Sequence, residues 1–505
     1  MKLEPSFQSF ETAFDGGKNQ LVYTRLAADL DTPVSLMLKL ADGQPDSFVL
    51  ESVTGGEVRG RYSIIGLKPD LIWRCNGTSS DINRDARFDR DAFSPCDGDP
   101  LSALRAVIAE SKIDIPADLP AAAAGLFGYL GYDMIRLVER LPDINPDPIG
   151  LPDAVMIRPS VIVVLDGVKG DVTVVSPAWA GSGLSAKAAY AQAAERVMDA
   201  VRDLDRAIPS ASRDFAEDGP KDEKSTSNFT RAAYLKAVAK AKDYIKAGDI
   251  FQVVPSQRWT QKFTLPPFSL YRALRRTNPS PFMFYFNFEG FQIIGASPEI
   301  LVRVFGKEVT IRPIAGTRHR GATADEDRAL EIDLLADEKE CAEHLMLLDL
   351  GRNDAGRVSK IGTVRPTEKF IIERYSHVMH IVSNVVGELA DDQDALSALL
   401  SGLPAGTVSG APKVRAMEII DELEPEKRGV YGGGCGYFSA NGDMDMCIAL
   451  RTAVIKDEKL YIQAGGGVVH DSDPDAEFEE TVHKSKAIVT AAKEAALFLN
   501  AGRSN

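Results

Sequence analysis

Five strand-like runs follow one another between residues 250 and 316: IFQVVPSQRW, FMFYFNF, FQIIGA, ILVRVF and EVTIRPIAG. They are rich in β-branched and aromatic residues and bounded by turn-forming ones, and this density of strands limits what the chain can fold into. Upstream, SVIVVLDGV and DVTVVSP read as further strands, beside a small-residue stretch, AAAAGLFGYLGYDMIR. Helical spacing governs TRAAYLKAVAKAKDYIKAG, which ends on a glycine suited to a helix stop, and helices are expected from about 324 to 350. Later, GYFSA, MCIALRTAVI and KLYIQAGGGVV mix with long helices, the last starting at Asp473-Pro474. Strand clusters alternate with helix clusters without regular βαβ spacing, so the expected class is α+β with large antiparallel sheets.

With 505 residues the chain is long enough for two or three domains. The clearest break is 209–228, PSASRDFAEDGPKDEKSTSN, a polar linker or loop that divides an N-terminal region, 1–208, from 229–500. A net charge of −15 argues against a general nucleic-acid or anionic-membrane surface. An anionic substrate would therefore need a local concentration of Arg, Lys, backbone amides or metal. Five cysteines without a CxxC spacing read as reduced thiols in a cytoplasmic protein. The start carries no apolar signal core, and no run reaches the length of a membrane span.

Residues 340–344 read ECAEH. Glu340, Glu343, His344 and Leu347 fall on one helical stripe, beside an apolar stripe of Cys341, Ala342, Leu345 and Leu348. Such a helix is expected to be largely buried, so its carboxylates need partners. A second E-x-x-E stands at Glu477 and Glu480, on a helix capped by Asp473, with Lys484 on the same face and Phe478 and Val482 as neighbouring core. Two readings stand side by side: solvated faces with ordinary ion pairs, or two helices presenting four carboxylates to one hard cation. Oxygen-only ligation suits Mg²⁺ better than zinc. A zinc helix would need histidines at i and i+4, or a histidine at 340.

LPAGTVSGAPK (403–413) is not a Walker A loop, because Gly406, Gly410 and Lys413 are misplaced for one. It leaves a small-residue turn entering a helix at Ala411-Pro412, suited to an anion or to plain capping. AGGGVV (464–469) is either an amide nest for a carboxylate or a tight bend. Cys435 in YGGGCGYF precedes strand-like residues rather than a helix, so it reads as a small buried side chain. Arg451, at the centre of the strand-like MCIALRTAVI, needs either a structural acid or an anionic substrate. His377 and His380 in SHVMH are ambiguous, since a lone histidine on an apolar strand is usually a hydrogen-bonded core residue.

Taken in order, these pieces resemble the chorismate-utilising enzymes. The resemblance rests on GASPE (295–299), IRPIAGTRHRG (311–321), DEKECAEHLMLLDLGRND (337–354), SHVMH (376–380), LPAGTVSGAPK, IALRTAVI (448–455) and DPDAEFEET (473–481). It is dense over 230–490 and thinner upstream, through GLFGYLGYD. It implies antiparallel sheets packed face to face with helices outside. Members that make isochorismate or salicylate carry a water-activating lysine in the segment matching FQVVPSQR, where this chain has Gln252. Aminodeoxychorismate-forming members read PIKGT, where this chain has Pro313-Ile314-Ala315-Gly316-Thr317. Without either lysine, the chain resembles the anthranilate-forming branch, which uses ammonia. An aminodeoxychorismate-forming enzyme and a non-catalytic amino-acid sensor are the alternatives. His319 stands where the family has proline, a change expected to alter a turn beside the substrate loop.

The resemblance implies a lyase converting chorismate and ammonia to anthranilate and pyruvate, at the first step of tryptophan biosynthesis. It implies Mg²⁺ held mainly by Glu343 and Glu480, with Glu477 and Glu340 nearby. Arg451, Tyr431 and the amides of Gly465, Gly466 and Gly467 would meet the enolpyruvyl carboxylate. Gly316, Thr317, Thr407 and Lys484 would line the remaining site. Glu340 is the expected proton donor for loss of the C4 hydroxyl, and His380, ahead of His344, the base for the second step. FVLES (48–52) and NPSPFMFY (278–285) resemble a tryptophan feedback pocket formed by Leu50, Glu51, Ser52, Pro281, Phe282 and Met283. The chain contains no glutaminase pattern, so a separate glutamine amidotransferase subunit in a hetero-oligomer is expected to supply the ammonia.

Overall fold

The structure, a computed structural model, describes residues 2–41, 43–52, 60–208, 224–375 and 378–499. His377 and most of the expected 209–228 linker lie outside the described residues; at the linker's end, Thr226–Ser227 is a short strand against Trp259 and Thr260. Among the described residues, twenty-one strands join one hydrogen-bonded sheet, and Gln252–Val253 pairs separately with Gly410–Ala411. The fold is α+β, with antiparallel pairing throughout the core of the sheet.

Alternation along the strands explains the layering. Phe48, Ile64, Ile162, Phe284, Phe286 and Ile293 meet Phe127, Tyr129, Cys435 and Cys447 in a core built mainly of strand side chains. Their chain neighbours Val49, Ile65, Val163, Met283, Tyr285 and Ile294 point the other way. That opposite face is covered by the helices Pro33–Leu40, Ala186–Leu204, Pro267–Thr277 and Pro474–Glu494. A second set, Pro100–Glu110, Glu338–Gly356 and Ala395–Gly402, covers Trp73, Leu126, Val302 and Met446. Burial on both faces is why these strands read as continuous apolar runs. Sheet faces sheet, with helices outside.

The two halves of the chain share this sheet. Ser47–Glu51 pairs with Phe282–Phe288, and Gly125–Leu130 pairs with Gly434–Ser439. At the second joint Gly128 and Gly436 lie opposite each other, and a Cβ on either would overlap a carbonyl of the adjoining strand. Glycine is required there by close approach.

Helix signals in the sequence match the structure closely. Thr230 caps Arg231–Ala247, which stops at Gly248 with φ +85°, and Asp473 caps Pro474–Glu494. The strand MCIALRTAVI differs: it splits into Met444–Ile448 and Thr452–Lys456, and Arg451 sits between them at φ +48°. A left-handed conformation in a long side chain is a strained one, held by its surroundings.

Candidate active site

The helix Glu338–Gly356 lies across the strands Ile314–His319 and Val378–Glu388. Its buried positions include His344, Leu347, Leu348 and Gly351. The expected apolar stripe is corrected: Leu345 is 57% exposed, Ala342 is exposed and Cys341 only half-buried. The helix rotates so that its carboxylate stripe faces the sheet, because polar partners wait there. Glu343 Oε1 accepts from Gln252 Nε2 at 2.9 Å. Glu340 stands beside Gly316, whose φ of +68° and lack of a side chain leave room for the carboxylate. Burial raises the pKa of both groups, and each also feels a neighbouring carboxylate, Glu343 acting on Glu340 and Glu480 on Glu343.

The second carboxylate helix supplies Glu477, Glu480 and Lys484. Glu477 is buried beside Gly466, its Oε2 has no hydrogen-bond partner, and burial raises its pKa. Glu480 pairs with Lys484 at 2.7 Å, and Lys484 Nζ also donates to Gly465 O at 3.0 Å. The glycine turn is partly engaged by the protein itself: Gly466 N donates to Pro255 O at 3.2 Å, and the Gly465 amide donates to the buried Tyr431 hydroxyl. Gly467 packs against Gln252 and lies next to Glu343.

His380 is buried, and its Nδ1 lies 2.8 Å from Gly316 O and 3.1 Å from Thr317 Oγ1. A carbonyl can only accept, so Nδ1 carries the proton and Nε2 keeps its lone pair. Burial lowers the pKa to about 4, so the ring is neutral near pH 7. His344 is fully buried, with Nε2 2.6 Å from Ser383 Oγ and an edge-on contact to Phe370. It packs the helix onto the sheet.

One group escaped the sequence reading. Glu299, the last residue of GASPE, is buried, accepts from Thr407 Oγ1 at 3.3 Å and from the Ile314 amide, and feels Arg451. Burial pushes its pKa up to about 8, so it is a neutral acid near pH 7. Its sequence signals are its place at the end of the GASPE motif and a charge directly before the apolar run ILVRVF, and neither gives it a role. Arg451 is half-buried, and desolvation lowers its pKa, with Tyr375 and Glu299 opposing the shift.

The donor set fits Mg²⁺. All four carboxylates are oxygen donors; three carry raised pKa values, and Glu477 has an orphaned oxygen that a cation would satisfy. Among the described residues, no three His, Cys, Asp or Glu side chains are close enough to chelate an ion by themselves. Such a site leaves coordination positions for water and a ligand carboxylate, as Mg²⁺ favours.

Lys413 does not face an anion site. It is buried, with Nζ 2.8 Å from Asp354 Oδ2 and 3.2 Å from Ser401 O, tying the LPAGTVSGAPK segment to the helix Glu338–Gly356. Lys413→Ala leaves Asp354 buried and unpaired, and is expected to cost about 3–5 kcal/mol of stability, read as a lower urea midpoint.

The residues expected to form a feedback pocket line a cavity of about 860 Å³, together with Ile64, Arg312, Glu373, Tyr375, Cys435 and Tyr437. Ser52, Pro281, Phe282 and Met283 form part of its wall. Glu51 is held by Arg275 Nε at 2.6 Å and by the Tyr271 hydroxyl. Cys435 is buried, as expected of a small packing residue.

The sequence profile of the chorismate binding enzyme family matches residues 53–490. A protein of Cereibacter sphaeroides named anthranilate synthase component 1 is 76% identical over 493 residues, covering 98% of each chain. A protein of the same name from Pseudomonas putida is 51% identical, covering 92% of this chain and 93% of its own. Among solved structures, anthranilate synthase component I from Streptococcus pneumoniae superposes with a TM-score of 0.74 at 40% identity, over 86% of this chain and 94% of that one. The menaquinone-specific isochorismate synthase from Escherichia coli shares the fold, with a TM-score of 0.69 at 18% identity, over 96% of this chain and 100% of that one.

Proposed function

The chain belongs to the chorismate-binding enzymes, and from that premise we propose that it converts chorismate and ammonia to anthranilate and pyruvate. It is an enzyme, and anthranilate synthase component 1 is the name of its relatives at 76% and 51% identity. The observation that carries the reading is Gln252. It occupies the position of the water-activating lysine of other branches, and its amide donates to Glu343 rather than to a nucleophile. Ala315, beside Gly316, likewise offers no amine. With no side-chain nucleophile at either position, the nucleophile is free ammonia.

Chorismate carries two carboxylates. Arg451, held at φ +48°, is the guanidinium that meets the enolpyruvyl carboxylate, beside Tyr431 and the turn Gly465–Gly467. Glu343 and Glu480, with Glu477 nearby, would hold Mg²⁺, which would supply positive charge for the ring carboxylate. Ammonia adds at C2 while the C4 hydroxyl leaves, and a neutral carboxyl gives that oxygen its proton. Glu299 is already protonated near pH 7, which suits it to this role; Glu340, half-buried and also raised, is the second candidate. His380 Nε2 then takes the C2 proton. The enolpyruvyl group leaves, gains a proton and becomes pyruvate as the ring aromatises. Thr317 and the Gly316 carbonyl fix the tautomer that leaves Nε2 free, and Thr407 orients Glu299.

Ammonia is supplied from glutamine by a separate amidotransferase subunit. The purified chain, given chorismate and Mg²⁺, is expected to form fluorescent anthranilate with ammonium and none with glutamine. Glutamine-dependent product from the chain alone would overturn this division of labour. L-Tryptophan binds the cavity walled by Leu50, Ser52, Pro281, Phe282 and Met283 and slows the reaction. The cavity joins the apolar surface an indole needs to the charged groups an amino acid needs, including Arg312 and Glu373.

A further inference from the structure

The feedback cavity and the catalytic histidine share a wall. Arg312, nine-tenths buried, lines the cavity; its Nη2 lies 2.6 Å from Glu373 Oε1 and 3.2 Å from Glu368 Oε2, and its Nε has no hydrogen-bond partner. Glu373 Oε2 accepts from the Tyr375 hydroxyl at 2.9 Å. Tyr375 also lines the cavity, and its ring meets the His380 imidazole edge-on, with centroids 5.5 Å apart at 63°. Glu373 and His380 are direct partners across the strands Arg365–Arg374 and Val378–Glu388. A continuous path therefore runs from the cavity through Arg312, Glu373 and Tyr375 to the imidazole.

We propose that Tyr375 is a positioning residue that couples occupancy of the cavity to the placement of the His380 ring. An amino acid brings a carboxylate, which competes with Glu373 for Arg312, and an ammonium, which competes with Arg312 for Glu373. Either contact moves the Glu373 carboxylate, the acceptor that holds the Tyr375 hydroxyl. Loss of that hydrogen bond removes one restraint on the ring and lets it shift against the imidazole. Gly316 and Thr317 anchor the His380 ring at Nδ1, so a push from Tyr375 pivots the ring about that atom and re-aims Nε2. Proton abstraction depends steeply on such alignment, and a displacement below an ångström slows it.

The inference rests on the tryptophan reading of the cavity, and one experiment tells the two apart. Tryptophan binding to the full chain is measured by calorimetry, and fractional inhibition by saturating tryptophan is measured in the ammonia-dependent reaction. Both are repeated for Tyr375→Phe, which removes only the hydroxyl, and Tyr375→Leu, which also removes the edge contact. Tryptophan affinity in Tyr375→Phe is expected to stay within about threefold, while the inhibited-to-uninhibited rate ratio rises at least about fivefold. Tyr375→Leu extends the loss of inhibition in the same direction. If both variants bind tryptophan and are inhibited to the same fraction as the unmodified chain, the coupling is wrong and the feedback site stands. If the unmodified chain binds no tryptophan, the feedback reading fails and the coupling with it.

Discussion

His380→Ala is expected to stop anthranilate formation while chorismate is still consumed. Nε2 is the one lone pair that the hydrogen bonds to Gly316 and Thr317 leave available, and burial keeps it unprotonated near pH 7. Loss of a positioned base of this kind lowers the rate of its step by about 10²–10⁴-fold. The first step does not use it, so the amino intermediate, still bearing its enolpyruvyl group, accumulates and can be followed by chromatography. Anthranilate formation at the normal rate would remove His380 from the mechanism. So would equal loss of both steps, since that is the signature of a residue that holds the fold.

Glu299→Gln is the second large effect. The substitution keeps the shape and the Thr407 hydrogen bond but removes the transferable proton. The rate of hydroxyl loss is expected to fall by about 10²–10³-fold, with chorismate affinity changed far less. Glu340→Gln is the comparison: a larger loss there would return the donor role to that residue. The pH dependence has a definite sign. The Glu299 pKa rises from its ordinary 4.5 to about 8 through burial, so the folded chain holds a proton across that window that the unfolded chain has released. Stability contributed by this group therefore declines as pH rises from about 4.5 to about 8 and levels off above. Activity carried by its proton falls on the alkaline side of about 8. The Gln variant is expected to lose that slope in urea midpoints taken across the window.

Local signals carried a good part of this architecture. Caps at Thr230 and Asp473 and the stop at Gly248 mark their helices, because capping is decided within a few residues. The E-x-x-E spacing likewise puts each carboxylate pair on one helix face, while leaving solvated faces and a shared cation site both open. Long-range structure was less legible. Nothing in FVLES announces that it pairs with FMFYFNF, since strand pairing is set by packing across distant segments. Apolarity favours the stripe through Leu345 as the buried face of Glu338–Gly356, yet Leu345 lies in solvent, because Gln252 and Gly316 draw the carboxylates inward. MCIALRTAVI has uniform strand propensity, and only the charge of Arg451 hinted at the left-handed break that presents it. Glu299 has no helical or spaced partner in sequence; its raised pKa comes entirely from tertiary burial.

The most direct test of the account is the product set from chorismate, Mg²⁺ and ammonium with the purified chain. Anthranilate, read by fluorescence, and pyruvate, read by an enzyme-coupled assay, are expected to form in equal amounts. An aminated product that retains its enolpyruvyl group, with no pyruvate released, would contradict it.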